Sequence, residues 1–147
     1  MIKFIKLSKI RFYIVMEYAS NGDLFEFIMK RRFIPEYQAS EWFKQIIDGV
    51  KHIHNSGFAH RDLKCENLLL DHNYNIKITD FGFCCHIDIK KKRSRSTSPT
   101  PLCHAKSSLP TSQSLEDLSH TFCGSYVYAS PELLSGQPYI PQMADIW

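Results

Sequence analysis

His60-Arg61-Asp62-Leu63-Lys64-Cys65-Glu66-Asn67 decides how the rest of this chain is read. Asp80-Phe81-Gly82 follows it, and Ser130-Pro131-Glu132 comes later. Alone, any of the three is weak. In this order, with apolar strands between the first two, they are specific. Upstream, Pro35 suits the first position of a helix. Trp42, Phe43, Ile46, Ile47, Val50 and Ile53 then recur at three- and four-residue spacing, which predicts one buried stripe, with Glu41, Lys44, Asp48 and Lys51 in water. Gly57 is placed to end that helix. Leu68 to Leu70 and Ile76 to Thr79 read as short strands around an Asp71-His72-Asn73 turn. A helix, a polar loop and a hairpin thus bring Asp62, Asn67 and Asp80 into one stretch of chain.

The three blocks resemble the catalytic loop, metal-binding loop and activation-segment end of protein kinases. The resemblance implies an α/β (α+β) protein-kinase-like fold, of which the chain would be a partial domain. It would hold a remnant of the small-lobe sheet and the first half of the mainly helical large lobe. Phosphoryl transfer needs positioning and charge neutralisation more than covalent help. The implied catalytic residues are Asp62, which takes or orients the proton of the attacking hydroxyl, Lys64, which sets a positive charge by the transferring group, and Asn67. The implied metal ligands are Asn67 and Asp80, hard oxygens of the kind magnesium takes. Arg61 would receive a phosphate from the activation segment. Lys64 in Asp-Leu-Lys-x-x-Asn resembles the serine/threonine class. The implied cofactors are ATP and Mg2+.

The likeness runs along nearly the whole chain. Tyr13 to Ala19 resembles the fifth strand leading into the hinge, with Met1 to Leu7 as the fourth. It implies Met16 as gatekeeper, backbone bonds from Glu17 and Ala19 to the adenine edge, Asp23 near the ribose, and Leu69 beneath the base. Asn21 to Ile28, Asp62 to Asp71, Asn75 to Phe83 and Thr121 to Ser125 are closest to the testis-specific serine/threonine kinase family, in the calmodulin-dependent kinase group. Cys65 carries most of this, because many related kinases have Pro or Ala there. The family pattern makes Thr121 an activating phosphosite served by an upstream or autophosphorylating kinase, and gives Ser125 a hydrogen bond to Asp62 and Lys64. Asp23 and Glu66 match positions that face basic residues ahead of the target hydroxyl, so protein substrates with upstream Arg are expected. Phe122 and Tyr126 would meet the residue after the target.

Some parts of the family pattern are not in these 147 residues. No Gly-x-Gly-x-x-Gly precedes the hinge, and no Lys has the Val-Ala-Ile-Lys setting. The helix-C Glu is missing too. The expectation is that the isolated chain is inactive, a piece of a kinase whose full product is an ordinary one. The alternative is a non-catalytic, pseudokinase-like binding or scaffold fragment.

Between Phe83 and Ala129 the activation segment is extended. Loops without structure rarely exceed ~15 residues, so a disordered insertion is expected at about 88–114. Lys90-Lys91-Lys92-Arg93-Ser94-Arg95 opens it, and Ser98-Pro99 and Thr100-Pro101 are alternative phosphorylation targets. Six Lys/Arg against three Asp/Glu stand between Phe83 and Ala129, and that excess equals the whole net charge of +3. With no interleaved aromatic residues, the basic run reads as a solvated insert rather than a nucleic-acid surface. Cys84-Cys85-His86 and Cys103-His104 lack metal-type pair spacing, so reduced thiols are expected. No apolar run approaches the ~20 residues of a membrane span. These features suggest a cytoplasmic protein with no membrane partner, with nuclear entry through the basic run as the alternative.

Overall fold

The structure, a computed structural model, describes residues 2–7, 12–87 and 118–147. The expected insertion at 88–114, with its basic run, Ser98, Thr100 and Cys103-His104, lies outside the described residues. The chain divides into two compact units. One comprises residues 1–46 and 64–79, the other residues 47–63 and 80–147. No described helix is long and apolar enough to cross a membrane.

In the first unit, β1 (Ile2–Leu7) pairs antiparallel with β2 (Phe12–Met16), as the strand-strand reading expects. Asp23 then starts α1 (Leu24–Arg31): its Oδ1 accepts the Glu26 N–H at 2.8 Å, a cap of the kind short polar side chains supply. β4 (Leu68–Leu70) and β5 (Ile76–Ile78) form an antiparallel hairpin, with Leu69 opposite Lys77. Leu68 and Leu70 point into the core and Leu69 points the other way, as strand alternation requires. The core gathers Leu24, Trp42, Leu68 and Leu70, with Phe27 edge-on to Trp42 at 5.4 Å. Trp42 Nε1 donates to the Tyr74 carbonyl at 2.7 Å, so the indole is buried without leaving its N–H unpaired.

The long helix α2 spans Glu36–Asn55. Pro35 stands one position before it, and its carbonyl accepts from Gln38 and Ala39, both at 3.0 Å. Gly57, at φ +86°, follows its end, and its N–H bonds the His54 carbonyl. The expected stripe needs a correction. Trp42, Val50 and Ile53 are buried and Ile46 is half-buried, but Phe43 and Ile47 face solvent. Each follows a stripe residue by one position, which turns it about 100° off the buried face.

In the second unit, β3 (Phe58–Ala59) pairs antiparallel with β6 (Cys85–His86), and Ile87 N–H bonds the Gly57 carbonyl at 2.8 Å. α3 (Pro131–Leu134) starts with Pro in its first turn and Ser130 before it. α4 (Pro141–Ile146) follows. Val50, Ile53, Ala59, Ile87, Cys123, Leu133 and Tyr139 supply its buried apolar side chains.

Candidate active site

The residues singled out above fall in both units. The catalytic-loop octapeptide crosses from the second unit into the first between Leu63 and Lys64. Each set is described in its own unit.

In the first unit, the chain leaving β2 is stitched to β4. Asn21 N–H donates to the Leu70 carbonyl at 3.1 Å, and Leu70 N–H donates to Gly22 at 2.8 Å. Asn21 Nδ2 donates to the Asp71 carbonyl at 2.6 Å, and Asp23 bridges Leu69. Lys77 Nζ lies 3.2 Å from Glu17 Oε1 and 3.8 Å from Asp71 Oδ2. Glu17 thus reaches the β4–β5 hairpin through Lys77 and Asp23 reaches it through Leu69, while the Ala19 carbonyl closes the turn before them by accepting from Gly22 N–H at 3.5 Å. Met16, at the end of β2, is more than half exposed. Asp23 has a structural duty not foreseen, since one of its oxygens caps α1.

Asn67 closes a 3-10 turn (Cys65–Asn67) and is buried. Its N–H bonds the Lys64 carbonyl and its own carbonyl accepts from Thr79, both at 2.9 Å. Asp71 folds the hairpin turn around its carboxylate: Oδ1 accepts from Asn73 N–H at 2.8 Å and Asn75 N–H at 2.9 Å. The Asn75 N–H leads the causes that hold this carboxyl below its ordinary value. Burial pushes the Cys65 thiol up, and the carboxylates of Glu66 and Asp23 push it further.

In the second unit, Asp62 is buried and its Oδ1 accepts the Ser125 hydroxyl at 3.2 Å, as the family pattern led us to expect for that pair. The loop bearing Asp62 is held from behind by Asp145. Its side chain is fully buried and accepts from His60 N–H at 2.8 Å and Arg61 N–H at 2.6 Å, and it meets His54 Nε2 at 2.8 Å. Arg61 sits at φ +66°, a conformation that costs a side-chain-bearing residue energy and that these two bonds help maintain. The His60 ring lies against Phe81, centroids 4.9 Å apart. Asp80 is exposed, at φ +62°, and its Oδ1 accepts from Gly82 N–H at 3.3 Å.

Arg61 Nε donates to the Phe83 carbonyl at 2.7 Å. One terminal nitrogen donates to Ser119 Oγ at 3.2 Å and to the Tyr139 hydroxyl at 3.5 Å. Thr121 is exposed; its carbonyl accepts the Tyr139 hydroxyl at 2.9 Å, and its N–H donates to Ser119 Oγ at 3.4 Å. Phe122 and Tyr126 pack ring against ring at 4.7 Å, both open to solvent.

The family model for the protein kinase domain matches residues 1–147. This chain belongs to the protein kinase family. Testis-specific serine/threonine-protein kinase 2 of Mus musculus is 44% identical over 137 residues, covering 93% of this chain and 32% of the relative. Testis-specific serine/threonine-protein kinase 1 of the same species is 44% identical over 135 residues, covering 92% and 31%. The serine/threonine-protein kinase GIN4 of Saccharomyces cerevisiae (strain ATCC 204508 / S288c) is 42% identical over 135 residues, covering 92% and 10%. The chain thus spans about a third of the length of the two mouse relatives.

Three residues that the sequence does not single out, Asp145, His54 and Tyr139, bond to the loop bearing Asp62, to one another or to Arg61. The partners of Asp145 on that loop stand 84 and 85 positions away, so no local pattern announces them.

Proposed function

We propose that the protein carrying these residues transfers the γ-phosphoryl group of ATP to Ser and Thr hydroxyls of protein substrates. The observation that carries this reading is the setting of Asp62. It is a buried carboxylate, its loop is pinned by Asp145, and it is hydrogen-bonded to Ser125 just ahead of the exposed Phe122–Tyr126 face. A carboxylate so placed can take or orient a substrate hydroxyl's proton. Lys64, two residues on, supplies positive charge. Glu17, Ala19 and Leu69 are the residues proposed to meet the adenine, Glu17 being tied to the β4–β5 hairpin through Lys77.

The donor chemistry fits magnesium: a buried amide at Asn67 and an exposed carboxylate at Asp80 are the hard oxygens that leave room for phosphate and water. Asn67 and Asp80 would hold the ion, which when bound offsets phosphate charge. A preference for an upstream Arg is proposed as well, whose fork suits the carboxylates of Asp23 and Glu66. Thr121 is the proposed activating site, with Arg61 as receptor of its phosphate.

These 147 residues alone hold no glycine-rich loop and no small-lobe Lys–Glu pair. Positioning of that kind can supply ~7–11 kcal/mol of a barrier. The isolated chain is therefore proposed to be inactive, and the activity to belong to the full-length product. The test is phosphate transfer from labelled ATP by full-length protein, wild type against Asp62→Asn. Asp62-dependent transfer to Ser or Thr peptides is expected. Nucleotide binding with no transfer would turn the reading toward a non-catalytic binding protein.

A further inference from the structure

The Arg61 guanidinium is a full positive charge whose side-chain hydrogen bonds, among the described residues, go to neutral oxygens: the Phe83 carbonyl, Ser119 Oγ and the Tyr139 hydroxyl. Among the described residues, no carboxylate forms an ion pair with it. Tyr139 does more than accept from it. The residue is buried, at 5% exposure, and its hydroxyl donates to the Thr121 carbonyl at 2.9 Å and lies 3.5 Å from Cys123 Sγ. Its backbone pairs both ways with Ser119, at 2.8 and 3.1 Å. Burial pushes the phenol up from its ordinary value, so it keeps the proton that it donates. One hydroxyl thus accepts from Arg61 and donates to the backbone of Thr121.

We propose that Tyr139 is a positioning residue that links Arg61 to Thr121, and that this link sets how far phosphorylation of Thr121 raises activity. The inference rests on the reading of Thr121 as the activating site. The physical case is preorganisation. A long, flexible cation loses side-chain entropy when a phosphate captures it. Here the guanidinium is already held by Ser119 and Tyr139, and the backbone of the phosphorylated residue is held by the same phenol. Charge-assisted bonds to phosphate then form at a smaller ordering cost. Phenylalanine keeps the buried ring but removes the hydroxyl and with it the bonds to Arg61 and Thr121. The arrival of phosphate would then have to order Arg61 and Thr121 separately.

The experiment uses full-length protein in two forms, phosphorylated on Thr121 and phosphatase-treated. The readout is the gain, the ratio of kcat/KM between the two forms on one peptide. In Tyr139→Phe the gain is expected to fall roughly tenfold, the order of one hydrogen bond to a charged group. The KM for ATP of the phosphorylated form should stay at the wild-type value, which a general loosening of the fold would not allow. Ser119→Ala removes the neighbouring acceptor of the same Arg61 nitrogen and should lower the gain in the same direction. It decides the matter should Tyr139→Phe not fold. A wild-type gain preserved in the variants overturns the inference alone. A wild type with no gain removes the Thr121 reading and the inference with it.

Discussion

Gly124 brings the activation segment close against the catalytic loop. Its φ is +86°, and a Cβ there would stand 2.6 Å from the Arg61 carbonyl oxygen and 3.4 Å from Asp62 Oδ1. The near atom is backbone, held by its neighbours' bonds to Asp145, so it cannot swing aside. Gly22 has a similar φ, +73°, but a Cβ there meets nothing within 4 Å. Gly22→Ala should therefore cost only the left-handed conformation, about 1 kcal/mol. Gly124→Ala should cost more and should also depress transfer by the full-length enzyme, because it pushes on the Asp62–Ser125 pair. Thermal melts and peptide kinetics of the two variants check this; equal effects would refute it. Asp71 gives a pH test. The Asn75 N–H holds its folded-state pKa below the unfolded value of about 3.9. That stabilisation is fully present above the unfolded value and fades as pH falls through the folded one. Asp71→Asn should thus be less stable than wild type at pH 7, with the gap narrowing below about pH 4. Urea melts across that range are the measurement, and a gap independent of pH would refute the assignment.

At the scale of elements, α2 separates what a pattern reveals from what it hides. Trp42 and Phe43 are adjacent aromatic residues, and spacing alone put both in the stripe. The structure buries the first and exposes the second. Trp42→Ala should cost about 3–5 kcal/mol, since it empties the core and strips the Tyr74 carbonyl of its donor. Phe43→Ala should stay within about 0.5 kcal/mol in the same chemical melt. Elements with local causes were legible: the Gly57 stop and the Leu68–Leu70 and Ile76–Ile78 hairpin both follow from neighbours in sequence. The Asp62–Ser125 bond was legible only through resemblance, because 63 positions separate the pair. The roles of Asp145, His54 and Tyr139 were not legible. A buried Asp, a helix-end His and a Tyr after Pro look ordinary until the fold brings their partners to them. The extra duty of Asp23 was hidden for a different reason. One carboxylate can serve a ligand and a helix N-terminus at once, and the first role does not announce the second.

For the 147-residue chain taken alone, the exposed apolar surface is the controlling quantity. Val127 is 92% exposed, and Tyr37, Tyr126 and Trp147 are each 73% exposed. Phe43, Leu134, Met143 and Ile146 are also open. Among the described residues of the first unit, the buried apolar cluster is four side chains. Burying one large apolar side chain is worth about 1.5–3 kcal/mol. A typical net stability is only about 5–15 kcal/mol, so leaving several of them in water removes a large share of it. Apolar surface on that scale also invites association. The chain by itself should therefore sediment as concentration-dependent oligomers. Its thermal transition should be broad, with a midpoint that rises with protein concentration as self-association covers the open residues. Sedimentation velocity over a tenfold concentration range, paired with calorimetry, checks both. A sharp, concentration-independent transition of a monomer would mean that the two small cores suffice, and that the open aromatic residues carry little of the fold's free energy.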